Sequence, residues 1–295
     1  MNFRKAAEHL FLTQPAVTQQ IKALENDLGV RLFDRTAGRI ALTRQGSTLL
    51  TYATKIAALA SEAEQKLNGD TGSVSGELSL GVSTTIAQYV LPHLLGAFLD
   101  DHPRVQFSLH SGNTAEIVDL VLASKVSVGL IEGPARQRGV RTEPFMEDEL
   151  VLIASSNSVD RLSRTQFLAS NLLMREQGSG SRQVAEAALI RAGFKLKSFR
   201  KVMDLDSTEA IKSAVEAGLG IGLVSRWAIS KELELGALKV AQVAGVRATR
   251  HFTLISRTGP ELQGPAYAFR AFALSRARAL SQSSRMPRQS AKLTR

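Results

Sequence analysis

Cysteine is absent from the 295 residues, which excludes disulfide scaffolds, thiolate zinc sites and cysteine nucleophiles. Enzyme signatures are missing as well. There is no Gly-x-Ser-x-Gly elbow and no Walker loop, and the five histidines (His9, His93, His102, His110, His251) have no metal-ligand spacing. Gly218-Leu219-Gly220-Ile221-Gly222 follows a helical pattern and leads into a strand, the reverse of a nucleotide loop, so it reads as a helix C-cap. Glu147-Asp148-Glu149 reads as a solvated turn. No enzymatic activity, metal or cofactor is expected. One stretch, Leu78 to Leu99, lacks Asp, Glu, Lys and Arg, and about 20 apolar residues would span a bilayer. Gly81, Ser83, Thr84, Thr85, Gln88, Pro92 and His93 interrupt it, so a strand followed by a helix is expected and no membrane partner. The opening Met1-Asn2-Phe3-Arg4-Lys5 is charged and helical at once, unlike a secretory leader. A cytoplasmic location is expected.

What is present is an ordinary globular composition, 44% hydrophobic and 22% charged, which excludes wholesale disorder. The length suits two or three domains. Formal charge is +10 and unevenly placed. Residues 1–67 carry nine basic and six acidic side chains, and residues 276–295 carry six basic and none acidic. The middle is nearly neutral. A basic front module beside a neutral body suggests an anion-binding end on a ligand-handling part. The basic tail reads as a solvated, flexible extension.

In the front module, Phe3, Ala6, Ala7 and Leu10 share one face of a short helix. Thr13 then N-caps a second helix from Gln14 to about Asp27, with Pro15 in its first turn and Gly29 at its end. Ala16, Val17, Ile21, Leu24 and Leu28 point inward. Its outer face, Gln14, Thr18, Gln19 and Lys22, offers amides and a hydroxyl. Two such helices form a helix-turn-helix, and an amide-rich outer face suits major-groove reading, although a plain helical hairpin has the same pattern. Residues 30–43 read as two short strands around an Ala-Gly turn. Arg31 precedes them, and Arg35 and Arg39 flank the turn, where a wing would meet DNA backbone or minor groove. Thr43 caps a long helix to Leu67 whose seam, Leu49, Tyr52, Ile56, Leu59 and Ala63, suits dimerisation.

The runs Ala6-Ala7-Glu8-His9-Leu10, Thr13-Gln14-Pro15-Ala16-Val17-Thr18-Gln19-Gln20-Ile21, Leu28-Gly29-Val30-Arg31-Leu32-Phe33-Asp34-Arg35 and Leu42-Thr43-Arg44-Gln45-Gly46 resemble the LysR-type transcriptional regulators. The resemblance implies an α/β protein with a winged helix-turn-helix DNA-binding domain (1–43) and a linker helix for dimerisation (44–67). A two-lobed effector-binding domain resembling type II periplasmic binding proteins (77–280) and a basic flexible tail (281–295) would follow. It also implies a helix ahead of Phe3 that this sequence does not carry, so either the start codon is assigned too far downstream or the module is truncated. Thr13, Gln14, Pro15, Thr18, Gln19, Lys22, Arg31, Arg35 and Arg39 are the expected DNA contacts.

The body alternates strand and helix after a small polar linker: Glu77–Val82, Thr85–Asp101, Val105–His110, Thr114–Ala123, Val126–Glu132, and again from Leu172 to Val224. A late strand, Arg250–Ser256, and a helix, Ala266–Leu280, close it. This pattern predicts parallel sheets with covering helices in two similar lobes around a cleft. Hydroxyls and glycines at the strand ends nominate Ser83, Thr84, Thr85, Glu132, Gly133, Ser179, Ser181, Arg182, Ser207 and Thr208 as effector contacts, though each turn alone is also a plain helix cap. Ser83-Thr84-Thr85-Ile86, Tyr89-Val90-Leu91-Pro92 and Gly178–Arg182 are similar to the subgroup controlling sulfur-assimilation or carbon-dioxide-fixation operons, which implies a small anionic effector. The expected partners are promoter DNA, that effector, further copies of the chain as homodimer or homotetramer, and RNA polymerase. A two-lobed solute-binding protein without DNA function is the alternative.

Overall fold

The computed structural model describes residues 3, 6, 7, 12–34, 40–50, 52, 53, 56, 74–135, 137–259 and 261–283, the last seven through their backbone only. The chain forms two compact units, Met1–Thr71 and Gly72–Arg295.

In the first unit, residues 3, 6 and 7 are helical and Ala7 is buried. Helix α1, Gln14–Leu28, starts where Thr13 accepts a hydrogen bond from Ala16 N and ends where Gly29 adopts φ +65°. A left-handed cap of this kind favours glycine. Strands β1 (Phe33–Asp34) and β2 (Ala41–Leu42) pair antiparallel. The wing turn with Arg35 and Arg39 lies outside the described residues. Glu25 fastens α1 to the wing, its Oε1 accepting from Leu32 N at 2.7 Å and Phe33 N at 3.1 Å. Residues 44–50 begin a helix, capped by Thr43, whose hydroxyl accepts from Gly46 N. A Cβ on Gly46 would sit 2.0 Å from Leu32 O, so this close approach requires glycine. Two expected inward residues differ: Leu24 and Leu28 are 39% and 47% exposed. Leu28 lies beside an apolar depression shared with Val30, Leu32, Leu49 and Tyr52. Of the linker-helix seam, Tyr52 and Ile56 are exposed, while Leu59 and Ala63 lie outside the described residues.

The second unit is a ten-stranded curled mixed sheet. Strands β3 (Gly76–Ser83), β4 (Val105–Gly112) and β5 (Val128–Ile131) run parallel in the first lobe. Helices α2 (Thr84–Tyr89), α3 (Leu91–Asp101) and α4 (Thr114–Leu122) belong to that lobe. The expected single helix from Thr85 to Asp101 is thus two. Pro92 lies in the first turn of α3, where its missing N–H is tolerated, and Val90 joins the two. Two long strands, β6 (Val140–Ser155) and a later antiparallel partner, carry the chain between lobes. A short β7 (Arg161–Leu162), helix α5 (Arg164–Ala169), β8 (Asn171–Arg175), α6 (Gly180–Arg191), β9 (Lys201–Leu205), α7 (Thr208–Glu216) and β10 (Ile221–Ser225) build the second lobe. Helix α8 (Ser230–Glu234) and β11 (Leu238–Val243) complete it. The return strand β12 (Ala248–Arg257) and helix α9 (Gly264–Ser283) go back to the first, as Phe269 and Ala273 in its core show. Within 281–295, residues 281–283 are helical and the remainder of the expected tail lies outside the described residues.

The sheet is not all parallel. β12 runs antiparallel to β5 and β6, and β6 antiparallel to β10 and β11. A two-lobed fold that sends one strand out and another back must pair them in opposite directions. Nor is Glu147-Asp148-Glu149 a turn. It sits within β6, where alternation turns Asp148 inward and its neighbours out. Asp148 lies directly opposite Arg250 of β12. Their side chains are 0% and 3% exposed and meet at 2.7 Å (Asp148 Oδ2 to Arg250 Nε). Ser225 donates to the other carboxylate oxygen, and Arg250 Nη1 reaches Ser181 Oγ at 2.9 Å and Glu132 O at 3.3 Å.

Breaking a buried pair leaves an uncompensated charge and costs about 3–5 kcal/mol. Arg250→Met should therefore strip counter-charge from Asp148 and Glu132 and lower stability by about that amount in urea denaturation. The double variant Asp148→Leu/Arg250→Met should lose much less. Equal losses would show that packing, not charge, sets the cost.

Candidate functional site

The outer face of α1 is assembled by its N-cap. Gln14, Pro15, Gln19 and Lys22 are exposed and, with Thr18, line one shallow surface groove. Thr18 donates its hydroxyl hydrogen to Gln14 O at 2.9 Å, so only its acceptor lone pairs face outward. Arg31 is exposed beside the wing. Donors and acceptors in this arrangement can meet base edges and phosphates.

The second candidate lies where the two lobes of the second unit touch. Thr84, at the start of α2, donates to Gly112 O and accepts from Arg175 Nη2 at 3.4 Å, across the lobes. Arg175 ends β8, and its Nη1 reaches Thr208 Oγ1 at the start of α7, at 3.2 Å. Arg175 thus joins two of the expected effector contacts from opposite lobes. It was absent from the sequence-derived set, although a lone charge closing the buried run Leu172-Leu173-Met174 was the available signal. Its guanidinium is held by Glu176 through two hydrogen bonds, Nε–Oε2 at 2.7 Å and Nη2–Oε1 at 3.0 Å.

Two glycines bring the lobes together. A Cβ on Gly180 would lie 2.4 Å from Gly133 N and 2.5 Å from Thr114 Oγ1. Ala115 N also donates across the lobes to Gly178 O at 3.3 Å. The buried hydroxyls of Ser83, Thr85 and Thr114, and Glu132 Oε2, have no hydrogen-bond partner among the described residues. Ser179 and Ser207 are N-caps of α6 and α7. Ser181 faces Arg250. Arg182, nominated to meet an anion, is already matched by Glu186 and Asp204, each at 2.7 Å. Burial pulls its pKa down, but these two carboxylates outweigh it and raise it.

Beside this site, the lobes exchange aromatic rings. Tyr89 of the first lobe packs on the core of the second, and Trp227 of the second on the core of the first. The Tyr89 hydroxyl donates to Glu209. Burial, then that carboxylate, push its pKa well above the ordinary phenol range, so it remains a donor. Lys212, whose ammonium lies over the Tyr89 ring, bonds Glu209 at 2.9 Å and Glu232 at 2.6 Å. Partial burial pushes the Glu209 carboxyl up, but hydrogen bonds from Tyr89 and Lys212 outweigh this and hold it below the ordinary glutamate value.

Residues 71–278 match the family model described as the LysR substrate binding domain, and residues 1–47 the model for bacterial regulatory helix-turn-helix proteins of the lysR family. The RuBisCO operon transcriptional regulator of Allochromatium vinosum is 33% identical over 280 residues, covering 94% of this chain and 91% of its own. The regulatory domain of CcmR from Synechocystis PCC6803, solved in complex with 2-PG, superposes with a TM-score of 0.62 at 25% identity. That alignment covers 68% of this chain and 97% of CcmR's. Full-length CbnR complexed with its target DNA aligns over 94% of both chains, with a TM-score of 0.56 and 25% identity. No helix among the described residues is long and apolar enough to cross a membrane.

Gly180→Ala should hold the lobes apart and enlarge the radius of gyration by small-angle scattering, since both atoms it meets are constrained. Because Glu209 is held below its unfolded pKa, its contribution is present above the ordinary glutamate pKa and lost as pH falls through its depressed folded value. Tyr89→Phe should cost about 1 kcal/mol at neutral pH, given partial solvent exposure, and the cost should shrink once Glu209 is protonated and the bond loses its charge assistance. Thermal melts of both proteins from pH 7 downward check this.

Proposed function

The chain belongs to the LysR family of DNA-binding transcriptional regulators with an effector-binding domain, and on that premise we propose that it reads promoter DNA through the outer face of α1. We further propose that this binding is tuned by a small anion taken up between the lobes of the second unit. The observation that carries the second part is the Arg175 guanidinium, 2% exposed and placed between Thr84 of one lobe and Thr208 of the other. A buried cation flanked by hydroxyls is a receptor for a carboxylate or phosphate. The CcmR complex with 2-PG makes that compound a suitable first ligand. Likeness to the Allochromatium vinosum regulator makes carbon-fixation operons the first promoters to test.

In this reading Gln14, Thr18 and Gln19 address base edges, while Lys22, Arg31, Arg35 and Arg39 address phosphates. The protein works as a homodimer or homotetramer in the cytoplasm, acts on RNA polymerase at the promoter, and catalyses no reaction. Effector binding favours one of two DNA-bound geometries by binding it more tightly. The DNA-reading unit disfavours the solute-binding alternative.

Gln19→Ala should weaken binding to the DNA upstream of the protein's own gene by about 1–3 kcal/mol while leaving random DNA unaffected. A salt titration of both variants on both DNAs is the check. Equal loss on random DNA would make Gln19 a backbone contact. Thr84→Ala should weaken 2-PG binding without altering DNA affinity in its absence.

A further inference from the structure

Arg175 is buried and cationic, and a charge removed from water needs an opposite charge beside it. Here that charge comes from the next residue. Glu176 lies just beyond the end of β8, off the strand whose alternation would have turned the two side chains apart. Its carboxylate takes the Nε/Nη2 edge of the guanidinium with both oxygens. The remaining nitrogen, Nη1, goes to Thr208. The two partners differ in one respect: Arg175 is 2% exposed and Glu176 27%. The carboxylate is therefore the member at the rim, able to leave into solvent while the guanidinium stays.

We infer that Glu176 is an intramolecular competitor for the effector: its carboxylate holds the Nε/Nη2 edge of Arg175, the two-nitrogen edge open to a ligand carboxylate or phosphate while Thr208 keeps Nη1. This rests on the reading of the cleft as an anion site. One guanidinium edge accepts one pair of oxygens, so ligand and Glu176 exclude each other. The ligand class follows: an anion presenting two oxygens to the Nε/Nη2 edge displaces Glu176, and a neutral polyol does not. The exchange also has a structural consequence. Glu176 O accepts from Ser179 N, and the same turn holds Gly178, whose carbonyl binds Ala115 of the first lobe. Release of Glu176 therefore reaches the turn that joins the lobes, which gives the ligand a route to inter-lobe geometry.

Competition lowers apparent affinity by the fraction of molecules with a free guanidinium, so a latch closed about nine-tenths of the time weakens binding about tenfold. The test is calorimetric titration of the full chain, wild type and Glu176→Gln, with inorganic phosphate, 2-PG and glycerol. The near-isosteric amide keeps one acceptor for Arg175, and the fluorescence of Trp227, the single tryptophan, monitors folding. Glu176→Gln should bind both anions about tenfold more tightly and leave glycerol unbound, and adding Arg175→Gln should remove the gain. Unchanged or weaker anion binding by folded Glu176→Gln, with wild type still binding, would overturn the competitor and leave the anion site standing. Tighter glycerol binding would make Glu176 a steric plug and overturn it too. No binding of either anion by either protein would overturn both the competitor and the anion reading.

Discussion

Asp148 and Arg250 face each other on β6 and β12, the paired strands that link the sheet of the first lobe to that of the second, and the junction of the lobes is organised around that pair. An ion pair at 0% and 3% exposure is stable only if the remaining lone pairs and protons are matched. Most are matched, from several directions at once: Ser225 at the end of β10, Glu132 just past β5, and Ser181 in the first turn of α6, while Arg250 Nη2 faces Glu132 Oε2 at 3.5 Å without a hydrogen bond. Arg250 thus touches a strand end of the first lobe and a helix start of the second. The lobes are held where their strands terminate, and this junction adjoins the polar groups of the cleft.

Around that junction, the lobes meet by close backbone approach and by exchanged aromatic rings. Gly133 against Gly180 leaves no room for a Cβ on either side. Tyr89 and Trp227 each lodge on the opposite lobe's core. Charges in the cleft come in matched sets: Arg175 with Glu176, Arg182 with Glu186 and Asp204, Lys212 with Glu209 and Glu232. A charged ligand entering here must exchange with an existing partner, because an added lone charge would be costly at this depth. The first unit shows the same economy in miniature. Glu25 ties α1 to the wing through two backbone N–H groups, and Gly46 admits Leu32 O where any side chain would collide.

Local signals were the legible ones. Thr13, Pro15 and Gly29 bound α1 in the sequence because caps and fixed φ values act over one turn. The strand–helix alternation, the serine caps at 179 and 207, and the left-handed glycine at 218, one residue past the Ala217 C-cap of α7, were readable for the same reason. The split at Val90 was missed, since an apolar run with one proline reads as continuous helix. Strand β6 was missed because Glu147-Asp148-Glu149 looks solvated until its partner strand is known. Leu24 and Leu28 were assigned inward from periodicity alone, which says that a face is apolar but not what covers it.

Composition and periodicity by themselves determined a basic front unit and a neutral body, a capped helix with an amide face, and a body of alternating strands and helices with polar turns at the strand ends. These depend on residues within a few positions of each other. Pairings across 33 to 120 residues were decided only by the tertiary structure: Arg175 with Thr208, Arg250 with Asp148, Tyr89 with Glu209. Ser179, Ser181, Arg182, Ser207 and Thr208 are alike in sequence as hydroxyls or charges at helix starts. Which of them cap, which join an ion-pair network and which face the other lobe follows from the directions of β6 and β12. Those directions are set by the need to cross between lobes twice and to bury the charges where they cross.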